Sequence, residues 1–272
     1  MNETRYLPDT NQVGVLTAAV LLAFALAHLI QTPEFTLELQ LPGFYFSYPI
    51  SLNTLMVVLA AGLTATGMDW LLHSHPSLGK AATIEYWALP TLATFIIGIP
   101  LTILPPGNAW WLGFATGGLL LVLVFLAEYI VVEPSAPQYA IATAGLTALS
   151  FAVYLILTTA LRFSGVRLFL MVPALFIAAS LVSLRILHLR ISEKWEYNWA
   201  LGIALVCTQI GAALHYWPVS PVQFGLVVLG PLYALSNLTA NLLEGVPLRR
   251  AMTEPVLALA LAWGTAILFS FI

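Results

Sequence analysis

Residues 66–87 read TGMDWLLHSHPSLGKAATIEYW. The stretch closes one apolar run, turns around Pro76 and Gly79, and opens a second run, placing Asp69, His73, His75, Lys80 and Glu85 between two hydrophobic segments. Each of those segments is about twenty residues long, which is what a helix rising 1.5 Å per residue needs to cross about 30 Å of hydrocarbon. The stretch therefore reads as a polar turn between two membrane-spanning helices.

Working outward, the rest of the chain repeats this pattern. Sixty per cent of the 272 residues are hydrophobic, 8% are charged and the mean hydropathy is +0.94. An ordinary soluble domain carries about 25% charged residues. The expected fold is all-α: a polytopic transmembrane bundle of about nine spans forming one domain over residues 1–272. The expected spans are 13–30, 50–73, 85–104, 109–132, 138–161, 167–189, 198–217, 222–243 and 255–272. A net charge of −3 without a basic patch excludes a nucleic-acid partner. Cys207 is the single cysteine, so a disulfide framework and a cysteine-based metal site are excluded as well.

Punctuation along the chain sets the boundaries. Asp9, Thr10 and Asn11 are helix-start residues ahead of the first apolar run. That run is too long, and its acidic lead-in wrong, for a signal peptide, so it is read as a retained helix. Residues 31–49 hold Pro33, Pro42, Gly43 and Pro49 with two alternating stretches, FTLELQL and FYFSY, which suits a short hairpin or re-entrant piece at the headgroup level. Pro90 and Pro100 fall inside the third span and predict a kinked helix packed inside the bundle. Gly113 and Gly117 have the GxxxG spacing that lets another backbone approach closely. Trp110 and Trp111 suit an interface, and Ala140, Ala144, Ala148 and Ala152 form a small-residue stripe that reads as a packing seam.

Orientation follows from the basic residues, because cytoplasmic loops retain them. A cytoplasmic N-terminus places Arg5, Lys80, Arg185, Arg190, Lys194, Arg249 and Arg250 inside, and only Arg162 and Arg167 outside. The C-terminus then falls outside. The same arrangement collects Asp69, His73, His75, Glu85, Glu128, Arg185, His188, Asn237, Asn241 and Glu244 at the cytoplasmic face.

An acidic group within a span needs a partner or a water-filled cavity, so these residues are the candidate site. Asp69 and His73 are four apart and share a helix face, where a carboxylate can orient an imidazole as a general base; Glu85 and Glu128 are further catalytic candidates. The plainer reading pairs Asp69 with Arg185 or Lys80 and has His73 and His75 cap terminal carbonyls. Glu128 invites the same two readings, with Arg185 as partner. Asn237 and Asn241 are also four apart, with Glu244 nearby; they bond a neighbouring helix or, with Arg185, hold a polar ligand such as a headgroup. Two ligands at i and i+4 without a third do not make a metal site, and no helix carries the spaced histidine pair of a two-haem cytochrome. No metal and no cofactor are expected. The chain has no HExxH, GxSxG or phosphate-loop motif.

At Asp69-Trp70-Leu71, His75-Pro76 and Leu214-His215-Tyr216-Trp217-Pro218 the chain resembles bacterial polytopic membrane proteins grouped as a domain of unknown function. The resemblance covers most of the chain and implies a prokaryotic inner membrane without any particular activity. The expected function is accordingly a structural or accessory component of the inner membrane, in contact with lipids and with other membrane subunits or copies of itself. Two rivals stay open: a transporter with a cytoplasm-facing cavity lined by Asp69, Glu128 and Asn237, and an enzyme acting on a lipid headgroup through Asp69 or His73.

Overall fold

A computed structural model describes residues 8–30, 35–41, 44–75, 78, 83–191 and 195–269. The chain is a polytopic helical bundle, and it divides into two compact units, residues 1–139 and 140–272.

The first unit contains α1 (Thr10–Leu29), a two-stranded hairpin of β1 (Phe35–Leu41) and β2 (Phe44–Ile50), then α2 (Leu52–His73), α3 (Ile84–Ile103) and α4 (Asn108–Val131). Local chemistry starts the helices where expected. Asp9 accepts the backbone N–H of Asn11 at 2.9 Å, and Ser51 accepts that of Thr54 at 3.2 Å, so each side chain satisfies a donor the first turn leaves without a partner. The hairpin is antiparallel and pairs Phe35 with Ile50 and Leu41 with Phe44, so the described residues 35–41 and 44–50 form the hairpin of the two alternatives.

Helix α3 runs through both Pro90 and Pro100. Its middle is buried at Leu89, Ala93, Thr94 and Ile96, and the Thr94 hydroxyl meets that of Thr64 on α2 at 2.9 Å in the interior. Gly117 permits the expected close approach: a Cβ there would stand 2.7 Å from the Ile97 side chain of α3. Trp110, in the first turn of α4, is only 2% exposed, with its Nε1–H donated to the Leu101 carbonyl at 3.1 Å. Trp111, its neighbour in sequence, is exposed.

The second unit contains α5 (Tyr139–Phe163, its first residue ending the first unit), α6 (Leu168–Ile191), α7 (Tyr197–Leu214), α8 (Pro221–Leu243), the short α9 (Leu248–Ala251) and α10 (Thr253–Leu268). Gly165 and Gly245, at φ +61° and +81°, make the turns after α5 and α8 in a region that side-chain-bearing residues avoid. Ser220 and Gln223 form a reciprocal capping box ahead of α8, with Pro221 at its first position.

Helix α5 turns its small-residue stripe outward. Ala140, Ala144, Ala148 and Ala152 are all exposed; the face it buries carries Ala142, Leu146, Ser150, Val153, Tyr154 and Leu157. It packs on α8, where Phe151 meets Tyr233 at a ring separation of 4.9 Å and a Cβ on Gly225 would collide with Thr159.

Among the described residues, α1, α2, α4, α5, α6, α7, α8 and the stretch Leu248–Leu268 are each long and apolar enough to cross a membrane. Helix α3 adds a shorter apolar stretch, Tyr86–Thr102.

Candidate functional site

The candidate residues fall into one network in each unit. In the first, the last turn of α2 carries Asp69 and His73 to the surface, where their side chains are 46% and 49% exposed. His73 Nδ1 lies 2.8 Å from the Asp69 carbonyl oxygen and 3.5 Å from its carboxylate, so the imidazole serves the open end of its own helix. The carboxylate accepts the hydroxyl of Thr83, a buried residue just ahead of α3. Asp69 thus joins α2 to the start of α3, and Ser74 ties the same end to α1 by donating to Gln12 Oε1 at 3.1 Å.

His75 is only 3% exposed and sits edge-on to Tyr129 of α4, with ring centres 4.6 Å apart. Burial holds its imidazole below the ordinary value of 6.5, against an opposing pull from the Glu133 carboxylate. Glu128 is fully buried in the last turns of α4. Lys80 and the side chain of Glu85 lie outside the described residues. Among the described residues no three His, Cys, Asp or Glu side chains converge as metal ligands do.

The network in the second unit is centred on Arg190, in the last turn of α6. Its Nη1 donates to Asn237 Oδ1 at 3.0 Å, and its Nη2 donates to Asn241 Oδ1 at 3.0 Å. Nη2 also lies 3.0 Å from Glu244 Oε1. Residues 237, 241 and 244 share one face of α8, so a single planar guanidinium engages three successive turns of a neighbouring helix.

The asparagine amides complete the lattice. Asn237 Nδ2 donates to the Tyr233 carbonyl at 3.0 Å, and Asn241 Nδ2 donates to that of Ala251 in α9 at 3.2 Å. The Tyr233 hydroxyl donates to Glu254 of α10 at 3.0 Å. This network clamps the ends of α6, α8, α9 and α10 together. The contacts to Asn237 and Asn241 are part-buried between the helices, while those to Glu244 and Glu254 are exposed.

Asn237 and Asn241 therefore do bond a neighbouring helix, and Glu244 joins them, but the residue that brings them together is Arg190 and not Arg185. Arg185 is 2% exposed and lies with its guanidinium carbon 5.9 Å from the Trp195 ring centre, while His188 stacks on the same indole at 3.6 Å. The spacing of 237, 241 and 244 was the available signal for Arg190: a polar stripe at one end of a span calls for a donor at the same level. Thr83, Tyr233 and Glu254 had no comparable signal.

A bundle of long apolar helices, with its polar side chains used to tie helix ends within each unit, defines a multi-pass integral membrane protein. The family follows from the sequence match: the chain belongs to the protein of unknown function family DUF5656, whose model covers residues 31–269. No curated protein and no solved structure matches it.

Proposed function

We propose that this chain is a structural or accessory component of a bacterial inner membrane, with its N-terminus in the cytoplasm and no catalytic centre of its own. The observation that carries the reading is the consumption of the Arg190 guanidinium by Asn237, Asn241 and Glu244. A substrate site keeps donors available for its ligand, whereas these donors hold helices. Asp69 supports the same reading, since its carboxylate accepts the Thr83 hydroxyl and its backbone carbonyl is engaged by His73, both in its own unit. The excess of Lys and Arg in the segments assigned to the cytoplasm supports the orientation. The reading requires no metal or cofactor.

Its partners are membrane lipids and other spanning helices, from another subunit or a second copy. The exposed alanines of α5 give such a helix a surface for close approach, because small residues let two backbones pack where side-chain bulk would separate them. Native mass spectrometry of gently extracted protein, joined with cross-linking through Ala148→Cys in membranes, tests the proposal. Partner chains or a defined oligomer, cross-linked through position 148 and not through Ala213→Cys on α7, are expected. A monomer that moves a solute or turns over a lipid, with activity lost in Asp69→Asn, would overturn it.

A further inference from the structure

The first unit contains a cavity of about 270 Å³ at the opposite helix ends from Asp69. The last turn of α1, the first turn of α2 and the end of α3 enclose it, with Phe24, His28, Ser51, Asn53, Leu101 and Thr102 among its walls. Its volume lies just under the roughly 300 Å³ at which small-molecule pockets begin. This space stands apart from the polar networks described above.

Its lining is chemically specific. Among the described residues that line it, none is Asp, Glu, Lys or Arg. A phosphate, carboxylate or ammonium group would find no Asp, Glu, Lys or Arg countercharge among the described lining side chains, and burying an unpaired ion is costly. The polar side chains among them include donors and acceptors. The Asn53 amide makes no side-chain hydrogen bond among the described residues, and neither does the His28 imidazole. The Thr102 hydroxyl donates to the Ile99 carbonyl at 2.8 Å and keeps its capacity to accept.

Position is built as well as composition. His28 stacks on Trp110 with ring centres 4.0 Å apart, and Trp110 is fixed by its hydrogen bond to Leu101. The imidazole is thus held in place without using either ring nitrogen. Phe24 and Leu101 supply apolar wall in the same cavity. A ligand that matches has one carbon-hydrogen face and an uncharged edge that both donates and accepts.

We propose that this cavity binds a neutral, hydroxyl-rich group the size of one sugar ring, carried on a membrane lipid or free in the adjoining water. Asn53 and His28 bond its hydroxyls, and the apolar wall meets its ring face.

The test uses the full chain in phosphatidylcholine nanodiscs, which avoids sugar-based detergents. Glucose and monoglucosyl diacylglycerol are the probes, followed by native mass spectrometry and by thermal unfolding. One bound equivalent of either probe is expected, with affinity reduced about three- to tenfold by Asn53→Leu, the loss of one net hydrogen bond. Binding of glucose itself identifies a soluble ligand, and binding of the glycolipid alone identifies a lipid; both support the site. The probe-free unfolding temperature of Asn53→Leu stays within a degree or two of the parent, because Asn53 makes no side-chain hydrogen bond among the described residues. Absence of binding by both probes, or binding indifferent to Asn53→Leu and His28→Leu, overturns the proposal. So does tighter binding of phosphatidylglycerol that these substitutions abolish.

Discussion

Arg190 Nη2 stands 3.0 Å from Glu244 Oε1, with side chains 29% and 37% exposed. The same nitrogen bonds Asn241, and its twin bonds Asn237, which is 8% exposed. The ionic part of this cluster is partly solvated and weak, whereas the amide contacts lie deeper between α6 and α8. Stability should follow that division. Arg190→Ala is expected to cost about 2 kcal/mol, since both asparagine oxygens lose a charged donor, and Glu244→Gln less than about 1 kcal/mol. Thermal unfolding in detergent checks the order; equal losses would mean that the ion pair, and not the amide contacts, carries the clamp.

His75 gives the fold a dependence on acid. Burial against Tyr129 keeps its folded-state pKa below the 6.5 of the unfolded chain, so the unfolded chain takes up the proton first as the pH falls. The contribution is complete above 6.5 and declines below it. The unfolding temperature should therefore drop between about pH 6.5 and pH 5, and His75→Gln should flatten that part of the profile. An unchanged slope in the variant would show that other groups govern the acid limb.

Gly117 and Gly145 both sit in long apolar helices and should respond oppositely to alanine. A Cβ at Gly117 meets Ile97 at 2.7 Å, and one at Gly145 meets nothing within 4 Å. Gly117→Ala is expected to destabilise by about 1–3 kcal/mol through overpacking. Gly145→Ala should be neutral or stabilising by up to about 1 kcal/mol through helix propensity. Paired melting curves decide it, and a destabilised Gly145→Ala would reveal a close neighbour of α5 supplied by another chain.

Much of the architecture was legible in the residues. The expected span 109–132 became Asn108–Val131 and 222–243 became Pro221–Leu243, because hydrocarbon thickness sets the length of an apolar run and Pro, Gly and polar residues mark its ends. The last span begins at Thr253, two residues ahead of the expected 255 and just after the short α9, and the seventh ended at Leu214 instead of Trp217. The polar cluster was legible only as a set of residues near helix ends.

What the sequence determined by itself is the number and extent of the apolar helices, their division by turns and their placement in a bilayer. The tertiary structure decided which face each helix turns inward. Around a spanning helix, lipid and protein interior are about equally apolar, so no periodicity in hydrophobicity separates them. For that reason the alanine stripe of α5 read as a seam and lies exposed, while Tyr154 on the other face is buried. For the same reason two arginines five residues apart on α6 were indistinguishable in sequence. Only the packing of α6 against α8 brought Arg190, and not Arg185, to Asn237, Asn241 and Glu244.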